Sequence, residues 1–440
     1  MKKILLFICF SGFIFAFVGD IIAQSVNVSA EIRPRFEYRH GYKTLFPDDA
    51  NPASFISQRT RLNGFFANQN FKAYVSLQDV RVWGDVKQLN ARDVNGFSVH
   101  QAWGQIFFGE NVYLKIGRQE IIYDDHRIFG SVNWAQQARS HDAAILGLKF
   151  GGKHKIDVGI AYNAMGESLY KLQYENKNYK TFQLIHYHVN FGNSGLSILF
   201  LNNGMAYDAA DTSEIYDEQV AYSQTIGGRF SHKAENFKFN LAAYYQGGKN
   251  AANHDLAAMY FGGDISLHLI ENFSFGLGFE YLSGTSTVDQ GDPDMKDQSF
   301  TPLYGTNHKF NGWMDYFYVG NGHGNVGLID IYLPMKYTYE KLTFALIPHY
   351  FMSAATVSMP NQDDGTLEDL SSGLGTEVDF SVTYAAAKNV TIGAGYSTMF
   401  ATETMRAVKQ PAHYYGDNYN NSNGAGWIMV TFKPTFFSQD

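Results

Sequence analysis

Cysteine and long apolar runs are both scarce in this chain of 440 residues. The single cysteine, Cys9, lies near the N-terminus, so no disulfide bond can form in the remainder of the chain. The only run near the roughly 20 apolar residues of a membrane-spanning helix extends from Ile4 to Val18, which excludes a helical membrane bundle. Charged residues make up only 17%, and the net charge of −8 gives no electrostatic reason to bind nucleic acid.

The N-terminal segment has the plan of a secretory signal peptide. Lys2 and Lys3 precede the apolar run, and the sequence Ile-Ile-Ala follows it at residues 21–23. Positive, apolar and small residues occur in this order in export signals. We therefore expect residues 1–23 to be cleaved and residues 24–440 to be exported without an N-terminal lipid.

Segments of about ten residues, in which apolar residues alternate with polar or small ones, recur along the exported chain. In one of them Phe273, Phe275, Leu277, Phe279 and Tyr281 alternate with Ser274, Gly276, Gly278 and Glu280. Successive side chains of a strand point to opposite faces, so each segment has one apolar face and one polar face. The pattern predicts an all-β fold.

The connections between these segments alternate in length. Eight are short and lie near residues 68–70, 109–111, 151–155, 192–195, 234–236, 271–272, 340–341 and 388–389. Nine are long and polar and lie near residues 41–54, 84–97, 122–140, 164–179, 202–221, 247–257, 284–324, 354–374 and 400–424. If both termini lie on the short-turn side, these connections join about 18 strands, with short periplasmic turns and long extracellular loops.

Three further features favour a transmembrane antiparallel up-and-down β-barrel over a soluble β-sandwich or β-propeller. Tyr and Trp concentrate at segment ends, as in an interfacial girdle, and no blade signature recurs. The last segment, from Trp427 to Phe432, can pair with the first and leave no open edge in lipid. We expect a barrel in the outer membrane of a Gram-negative cell, and a monomer because its aromatic outer face is unbroken.

Charged residues occupy one face of each of the first two segments: Arg33, Arg35, Glu37 and Arg39 on the first, and Arg59 and Arg61 on the second. An arginine that faces lipid near the midplane costs about 2–4 kcal/mol, so we expect these side chains to point into the lumen. Two interpretations stay open. The arginines attract and pass an anionic solute, or they pair with lumen carboxylates and only stiffen the barrel interior.

Four charged residues do not fit the alternation. Asp79 and Arg81 in the third segment, and Arg118 and Glu120 in the fifth, have the parity of the apolar face. We expect a β-bulge or the membrane boundary at these positions, since either would place a charge where the alternation predicts an apolar residue.

Other constellations give weaker signals. Asp124, Asp125, His126, His141 and Asp142 flank the third long loop and would be the groups of a barrel hydrolase. Asp289, Asp292, Asp294 and Asp297 lack the spacing of an EF-hand and predict a solvated acidic loop. The chain has no Gly-x-Ser-x-Gly elbow, P-loop, zinc spacing or dinucleotide fingerprint, so we expect no catalytic residue, metal site or cofactor.

Motifs spread over the chain resemble those of the alginate-export family of outer-membrane barrels. They are RPRFE at residues 33–37, QRTRL at 58–62, QDVRVW at 78–83, GRQE at 117–120, RSHD at 139–142 and PLYGTNHKFNGWMDYF at 302–317. The resemblance implies an 18-stranded barrel with an electropositive pore for an anionic polysaccharide. By these motifs the pore would be lined by Arg33, Arg35, Arg59, Arg61, Arg81, Arg118 and Arg139, with Asp79, Glu120 and Asp142 as counter-charges. The last short turn, at residues 387–389, departs from the long periplasmic plug of the alginate exporter itself.

The sequence therefore predicts a porin-like outer-membrane channel that passes an alginate-like oligo- or polysaccharide, or another anionic solute, through an arginine-lined pore. Its expected partners are outer-membrane lipid and the solute, and the reading leaves room for a periplasmic partner. The alternatives are a barrel hydrolase that uses the loop Asp and His residues and a structural or adhesive barrel.

Overall fold

The computed structural model describes residues 24–89, 96–175, 178–208, 218–292, 294–318, 322–414 and 419–439. The expected signal peptide and its cleavage lie outside this part of the chain. Among the described residues, no helix is both long and apolar enough to cross a membrane.

Twenty strands form one closed antiparallel sheet. They are β1 (Ser25–His40), β2 (Ala53–Ala67), β3 (Phe71–Val82), β4 (Ser98–Phe108), β5 (Val112–Gln119), β6 (His141–Phe150), β7 (His154–Tyr162), β8 (Thr181–Phe191), β9 (Ser194–Asp208), β10 (Glu218–Lys233), β11 (Phe237–Lys249), β12 (Asp255–Ile270), β13 (Phe273–Leu282), β14 (Leu328–Tyr332), β15 (Met335–Tyr339), β16 (Leu342–Met352), β19 (Gly373–Ala387), β20 (Val390–Ala401), β21 (Ser422–Phe432) and β22 (Thr435–Gln439). A separate hairpin of β17 (Ser358–Pro360) and β18 (Leu367–Asp369) and a short helix, α1 (Glu403–Lys409), lie in two of the long loops.

Two barrel strands are interrupted, which reduces the twenty segments to 18 strand positions. β14 and β15 lie end to end between β13 and β16. β21 and β22 lie end to end along β1, and β21 also pairs with β20. A proline stands at each break, Pro334 and Pro434, and has no N–H for the ladder. The proline carbonyls still accept bonds from the Gly276 and Ala30 amides of the neighbouring strands. The prediction of an 18-stranded closed barrel is confirmed.

The eight short turns and eight of the nine long loops occur within a few residues of where the sequence predicts them. For the loop predicted at residues 202–221, β9 and β10 extend into this range from both sides, and residues 209–217 lie outside the described part of the chain. The third long loop, L3, comprises residues 120–140; the fourth, L4, residues 163–180; the seventh, L7, residues 283–327; and the ninth, L9, residues 402–421.

The outer face of the barrel is apolar, and the inner face carries the polar groups. In β1 the buried Arg33 and Arg35 alternate with Ile32 and Phe36, each 39% exposed. In β2 the buried Arg59 and Arg61 alternate with exposed Leu62 in the same way. Such an apolar band is the surface that acyl chains cover in a membrane barrel.

The largest apolar core lies inside the barrel because L3 and L7 fold inward. Phe129 of L3 and Phe300, Met314 and Tyr316 of L7 are almost fully buried together with inner-wall residues such as Phe182. Each large side chain buried in this way contributes about 1.5–3 kcal/mol. The alternation of apolar and polar residues in the strands does not predict this inward folding of the long loops.

Candidate functional site

Four arginines lie side by side on the inner wall of β1 and β2. We call Arg33, Arg35, Arg59 and Arg61 the arginine cluster. The strand register places Arg33 opposite Arg59 and Glu31 opposite Arg61. All four arginines are buried, with Arg59 fully excluded from solvent. Guanidinium groups so close repel one another unless acceptors surround them.

Two carboxylates of β1 neutralise two of these arginines, one on β1 and one on β2. Arg35 Nη2 lies 2.8 Å from Glu37 Oε1, and Arg59 is ion-paired with Glu31. Arg39, at the end of β1, donates to Glu37 Oε2 at 2.6 Å. Glu37 therefore joins two of the predicted site arginines.

L3 covers the arginine cluster with backbone carbonyls. Arg33 Nη1 donates to Asn133 O at 2.8 Å, and Arg35 Nη1 donates to Trp134 O at 2.7 Å. Gln136 accepts from Arg33 Nη2 at 2.8 Å and donates to Ser57 Oγ at 3.0 Å. The loop thus offers neutral acceptors to the guanidinium groups.

Carboxylates and one histidine form a second polar sector on the inner wall of β13, β14, β16 and β19. We call Glu280, Asp330, His349, Glu377 and Asp379 the acidic sector. Asp330, Glu377 and Asp379 are fully buried. His349 Nδ1 lies 2.9 Å from Asp330 Oδ1, and its Nε2 lies 3.6 Å from Asp379 Oδ2.

L7 covers the acidic sector with hydrogen-bond donors. The Trp313 amide donates to Asp379 Oδ2 at 3.1 Å, and the Met314 amide donates to Glu377 Oε1 at 2.8 Å. Arg127 of L3 adds an ion pair of 2.8 Å with Glu280. L7 therefore meets the acidic sector with backbone N–H donors, whereas residues 133–134 of L3 meet the arginine cluster with carbonyl oxygens.

The two loops also bind each other, and we call residues 127–137 of L3 together with residues 300–317 of L7 the lumen plug. The Gly130 amide donates to Tyr304 O at 2.9 Å, and the Val132 amide donates to Thr306 Oγ1 at 3.0 Å. Phe129 packs on the Tyr304 ring at 5.3 Å. These contacts make the inward parts of L3 and L7 a single body that contacts both charged sectors.

Two other predicted site residues also lie inside the barrel. Glu120 leaves the ladder at the end of β5 and its Oε1 lies 2.9 Å from His100 Nε2. His100 is the extra residue of a β-bulge in β4, where Ser76 pairs with Gln101 and Leu77 with Val99. Arg139 of L3 donates to Gly305 O at 3.2 Å.

Four predicted pore-lining residues lie on the outer face instead. The β2–β3 ladder continues without a shift and places Asp79 opposite Thr60 and Arg81 opposite Gln58, on the face away from Arg59 and Arg61. In the same way Arg118 pairs with Asp142 across β5 and β6, and their side chains are 45% and 59% exposed. Arg81 and Asp79 are paired with each other, and their side chains are 30% and 6% exposed. The β-bulge lies in β4 and not at these positions, so of the two expected causes the membrane boundary remains as the explanation.

The Asp and His residues considered for hydrolysis are not brought together. The carboxylate of Asp124 faces His186 at 3.3 Å, and Asp125 is paired with Arg229 at 3.2 Å. His141 Nδ1 lies 3.1 Å from the Tyr179 hydroxyl. In the acidic loop, Asp297 is buried and accepts from the Ser299 amide at 2.8 Å, which makes it a loop anchor. Within the described ranges, no group of three or more His, Cys, Asp or Glu residues is arranged to hold a metal ion.

Sequence reasoning did not single out Arg127, Trp134 or Gln136, although these residues make many of the plug contacts. The alternation of a strand identifies inward residues, but it carries no information about a loop. The available signal was the composition of L7, where the run Trp-Met-Asp-Tyr-Phe at residues 313–317 is too apolar for a solvated loop.

Comparison with known proteins gives one family match. The family model described as Alginate export matches residues 24–416. No curated protein sequence matches the chain significantly.

Solved structures of outer-membrane proteins are similar in fold. OccAB4 of Acinetobacter baumannii superposes with a TM-score of 0.59 at 12% identity, covering 94% of this chain and 99% of the other. A BenF-like porin from Pseudomonas fluorescens Pf-5 gives 0.58 at 13% identity over 93% and 99%. OpdL of Pseudomonas aeruginosa gives 0.58 at 11% identity over 94% and 99%. At these identities the likeness concerns the barrel alone.

Proposed function

This chain belongs to the alginate export family of outer-membrane channels, and from that premise we propose that it passes an anionic oligo- or polysaccharide, or another anionic solute, through a lumen whose selectivity comes from the arginine cluster. Transport follows the solute gradient and involves no covalent chemistry. The arginines of the cluster and Arg39 are its proposed pore residues, with Glu37 and Glu120 as their lumen counter-charges.

One observation carries the proposal: two of the four clustered arginines are bound only to neutral oxygens. Within the described part of the chain, Arg33 donates to Gln136 and to L3 carbonyls, and Arg61 Nε donates to Gln78 Oε1 at 3.1 Å. Arg61 Nη2 is buried and has no hydrogen-bond partner in the described ranges. A carboxylate adds Coulomb attraction and can accept two parallel bonds from one guanidinium, so an anion can replace these neutral partners favourably.

The contacts of L3 suggest how the solute and the lumen plug compete. The carbonyls of Asn133 and Trp134 occupy the positions that the oxygens of an anion would take on Arg33 and Arg35. A solute carboxylate that displaces them frees residues 133–137 from the wall. We propose that the same arginines hold the plug in place and bind the solute, so that arrival of the solute favours opening.

Ion selectivity of the reconstituted protein tests the proposal. In planar bilayers with a salt gradient, the protein is expected to give anion-biased reversal potentials. The double change Arg33→Gln with Arg61→Gln should lower the anion-to-cation permeability ratio several-fold, since it removes the two arginines that have no ion pair. The matched control is the double change Lys153→Gln with Lys388→Gln, which removes two positive charges from exposed short turns outside the lumen and should leave the ratio unchanged. A double variant with the reversal potential of the parent would place these arginines outside the conduction path.

A further inference from the structure

A polar cavity lies on the extracellular side of the barrel, away from the arginine cluster. We call it the outer vestibule: a space of about 690 Å³ between the end of L3, L4 and residues 297–304 of L7. Its floor comes from strands β6 and β9 to β12, whereas the arginine cluster lies on β1 and β2. Cavities of this size are typical of small-molecule sites and would hold one or two sugar units.

Arg139 is the cation of the outer vestibule that has no carboxylate partner among the described residues. Its one side-chain hydrogen bond there goes to the Gly305 carbonyl, and its guanidinium lies 6.0 Å from the centre of the Tyr304 ring. The other charged residues of the vestibule are already satisfied. Asp142 and Arg118, which border the cavity at its exposed rim, are paired with each other at 2.9 Å, and Asp297 accepts from Asn250 Nδ2 at 2.9 Å.

The rest of the lining consists of amide, hydroxyl and aromatic groups. Asn163 Nδ2 donates to Tyr179 O at 2.9 Å, which leaves its side-chain oxygen as an acceptor. His141, only 3% exposed, lines the cavity, and its Nε2 has no hydrogen-bond partner among the described residues. Tyr174, Tyr179 and Tyr304 supply ring surfaces with polar ends.

This combination matches a ligand with one carboxylate and several hydroxyl groups. A guanidinium with open donors binds a carboxylate through two parallel bonds. Amides and tyrosines pair with hydroxyl groups, and the ring faces can cover the apolar side of a sugar. One unpaired cation suits one carboxylate, which distinguishes this site from the arginine cluster with its several charges.

We propose that the outer vestibule binds a single acidic sugar residue, with Arg139 as the partner of its carboxylate. The inference deepens the proposed function, on which it rests for the assumption that acidic sugars reach this face of the channel. The vestibule would recognise one unit of an acidic chain or a free sugar acid outside the constriction.

Calorimetric titration of the full chain in detergent with sodium glucuronate tests the site, with glucose as the neutral probe. Glucuronate is expected to bind at least about tenfold more tightly than glucose, and Arg139→Gln should remove most of that difference, since a hydrogen bond to a charged group is lost. Arg139→Lys keeps the charge but not the planar fork, and should give an intermediate affinity. If the Gln variant does not assemble, the Lys variant alone decides the question.

Lys388→Gln is the matched control, because it removes one positive charge from an exposed short turn that belongs to neither site and should leave glucuronate binding unchanged. Equal affinities for glucuronate and glucose, or parental affinity in both Arg139 variants, would overturn the inference. Such a result together with anion-selective currents would reject the vestibule but leave the proposed channel function standing. If the protein bound glucuronate but gave currents without anion selectivity, the proposed channel function would be rejected and the vestibule site would stand.

Discussion

The ring of Trp134 lies flat against the ring of His308, with centroids 4.3 Å apart and planes inclined by 7°. On the barrel wall, the guanidinium of Arg35 lies 4.1 Å from the centre of the Trp134 ring, and Trp427 contacts it edge-on at 5.1 Å. His308 in turn binds Asp315 at 2.8 Å. One side chain of L3 therefore connects the arginine cluster, L7 and the strand that closes the barrel.

Replacement of Trp134 by alanine should loosen the lumen plug. The aromatic and cation–π contacts it removes contribute together about 1–3 kcal/mol. We expect larger or more frequent open-channel currents in planar bilayers. Trp83→Ala is the matched control, since Trp83 is 56% exposed and bonds to Gln58 on the outer face. Identical current traces for Trp134→Ala and the parent would show that this ring does not hold the plug.

A methyl group at Gly312 should force L7 away from the acidic sector. Gly312 has φ +83°, and a Cβ there would lie 2.6 Å from the carboxyl carbon of Glu377. Gly312→Ala should therefore increase hydrogen exchange at the Trp313 and Met314 amides. Gly365→Ala is the control for backbone strain alone, because Gly365 has φ +72° but no atom lies within 4 Å of the added carbon. Its cost should stay near 1 kcal/mol and remain local. Unchanged exchange in Gly312→Ala would contradict the contact.

Acid should weaken the base of L7 through His323. Burial lowers the pKa of His323 to about 4. Its neutral ring accepts from the Gly327 amide at 3.2 Å and donates to Phe300 O at 3.3 Å. In the unfolded loop the pKa of His323 is near 6.5, so the unfolded state binds more protons between pH 6.5 and 4. The stability of the folded loop is therefore fully present above pH 6.5 and falls as the pH is lowered through this window. Lys409 and Asp297 are the charged groups that act on it.

Hydrogen exchange of the amides around His323 should therefore rise between pH 7 and pH 4.5, after correction for the intrinsic rate. His323→Gln keeps one donor and one acceptor without titrating, so its L7 protection should be flat over this range. The same pH dependence in both proteins would assign the effect to another group.

The docking of α1 on L7 should strengthen as the pH rises above neutral. Lys409 donates to the carbonyls of Tyr316 and Gly322, and burial lowers its pKa to about 7. In the unfolded chain Lys409 keeps its proton up to about pH 10.5, so the unfolded state binds more protons than the folded state between pH 7 and 10.5. The stability of the docked helix therefore grows with pH in this range. Trypsin cleavage after Lys409 should be slower at pH 9 than at pH 6.5, relative to an unfolded peptide of the same sequence. A ratio independent of pH would contradict the burial of its charge.

The parts of the fold that the sequence predicts correctly are those with a local physical cause. The alternation in β13 follows from a side-chain period of two, and a turn such as residues 388–389 needs a residue that tolerates positive φ, as Asn389 does at 63°. The inward direction of Arg33 and Arg59 follows from the cost of charge in lipid.

The features that the sequence did not predict depend on contacts between distant residues. Arg33 and Gln136 are 103 positions apart, and Met314 and Glu377 are 63 apart. Nothing local tells whether a polar loop extends into water or folds back into a lumen. The family resemblance had the same limit for Arg81 and Arg118, because a shared motif does not say on which face of a strand a residue lies.

The ion pairs on the outer face, Arg81 with Asp79 and Arg118 with Asp142, have a consequence for how deep the barrel can sit. The outward residues next in line along the strands, Leu77 and Ile116, are apolar and exposed. If the barrel sat deeper in the bilayer by one residue pair, guanidinium groups would lie among acyl chains. If it sat higher by the same amount, Leu77 and Ile116 would be exposed to water. On this side of the barrel these pairs mark the edge of the hydrocarbon layer, which fixes the height of the channel mouth above the lipid.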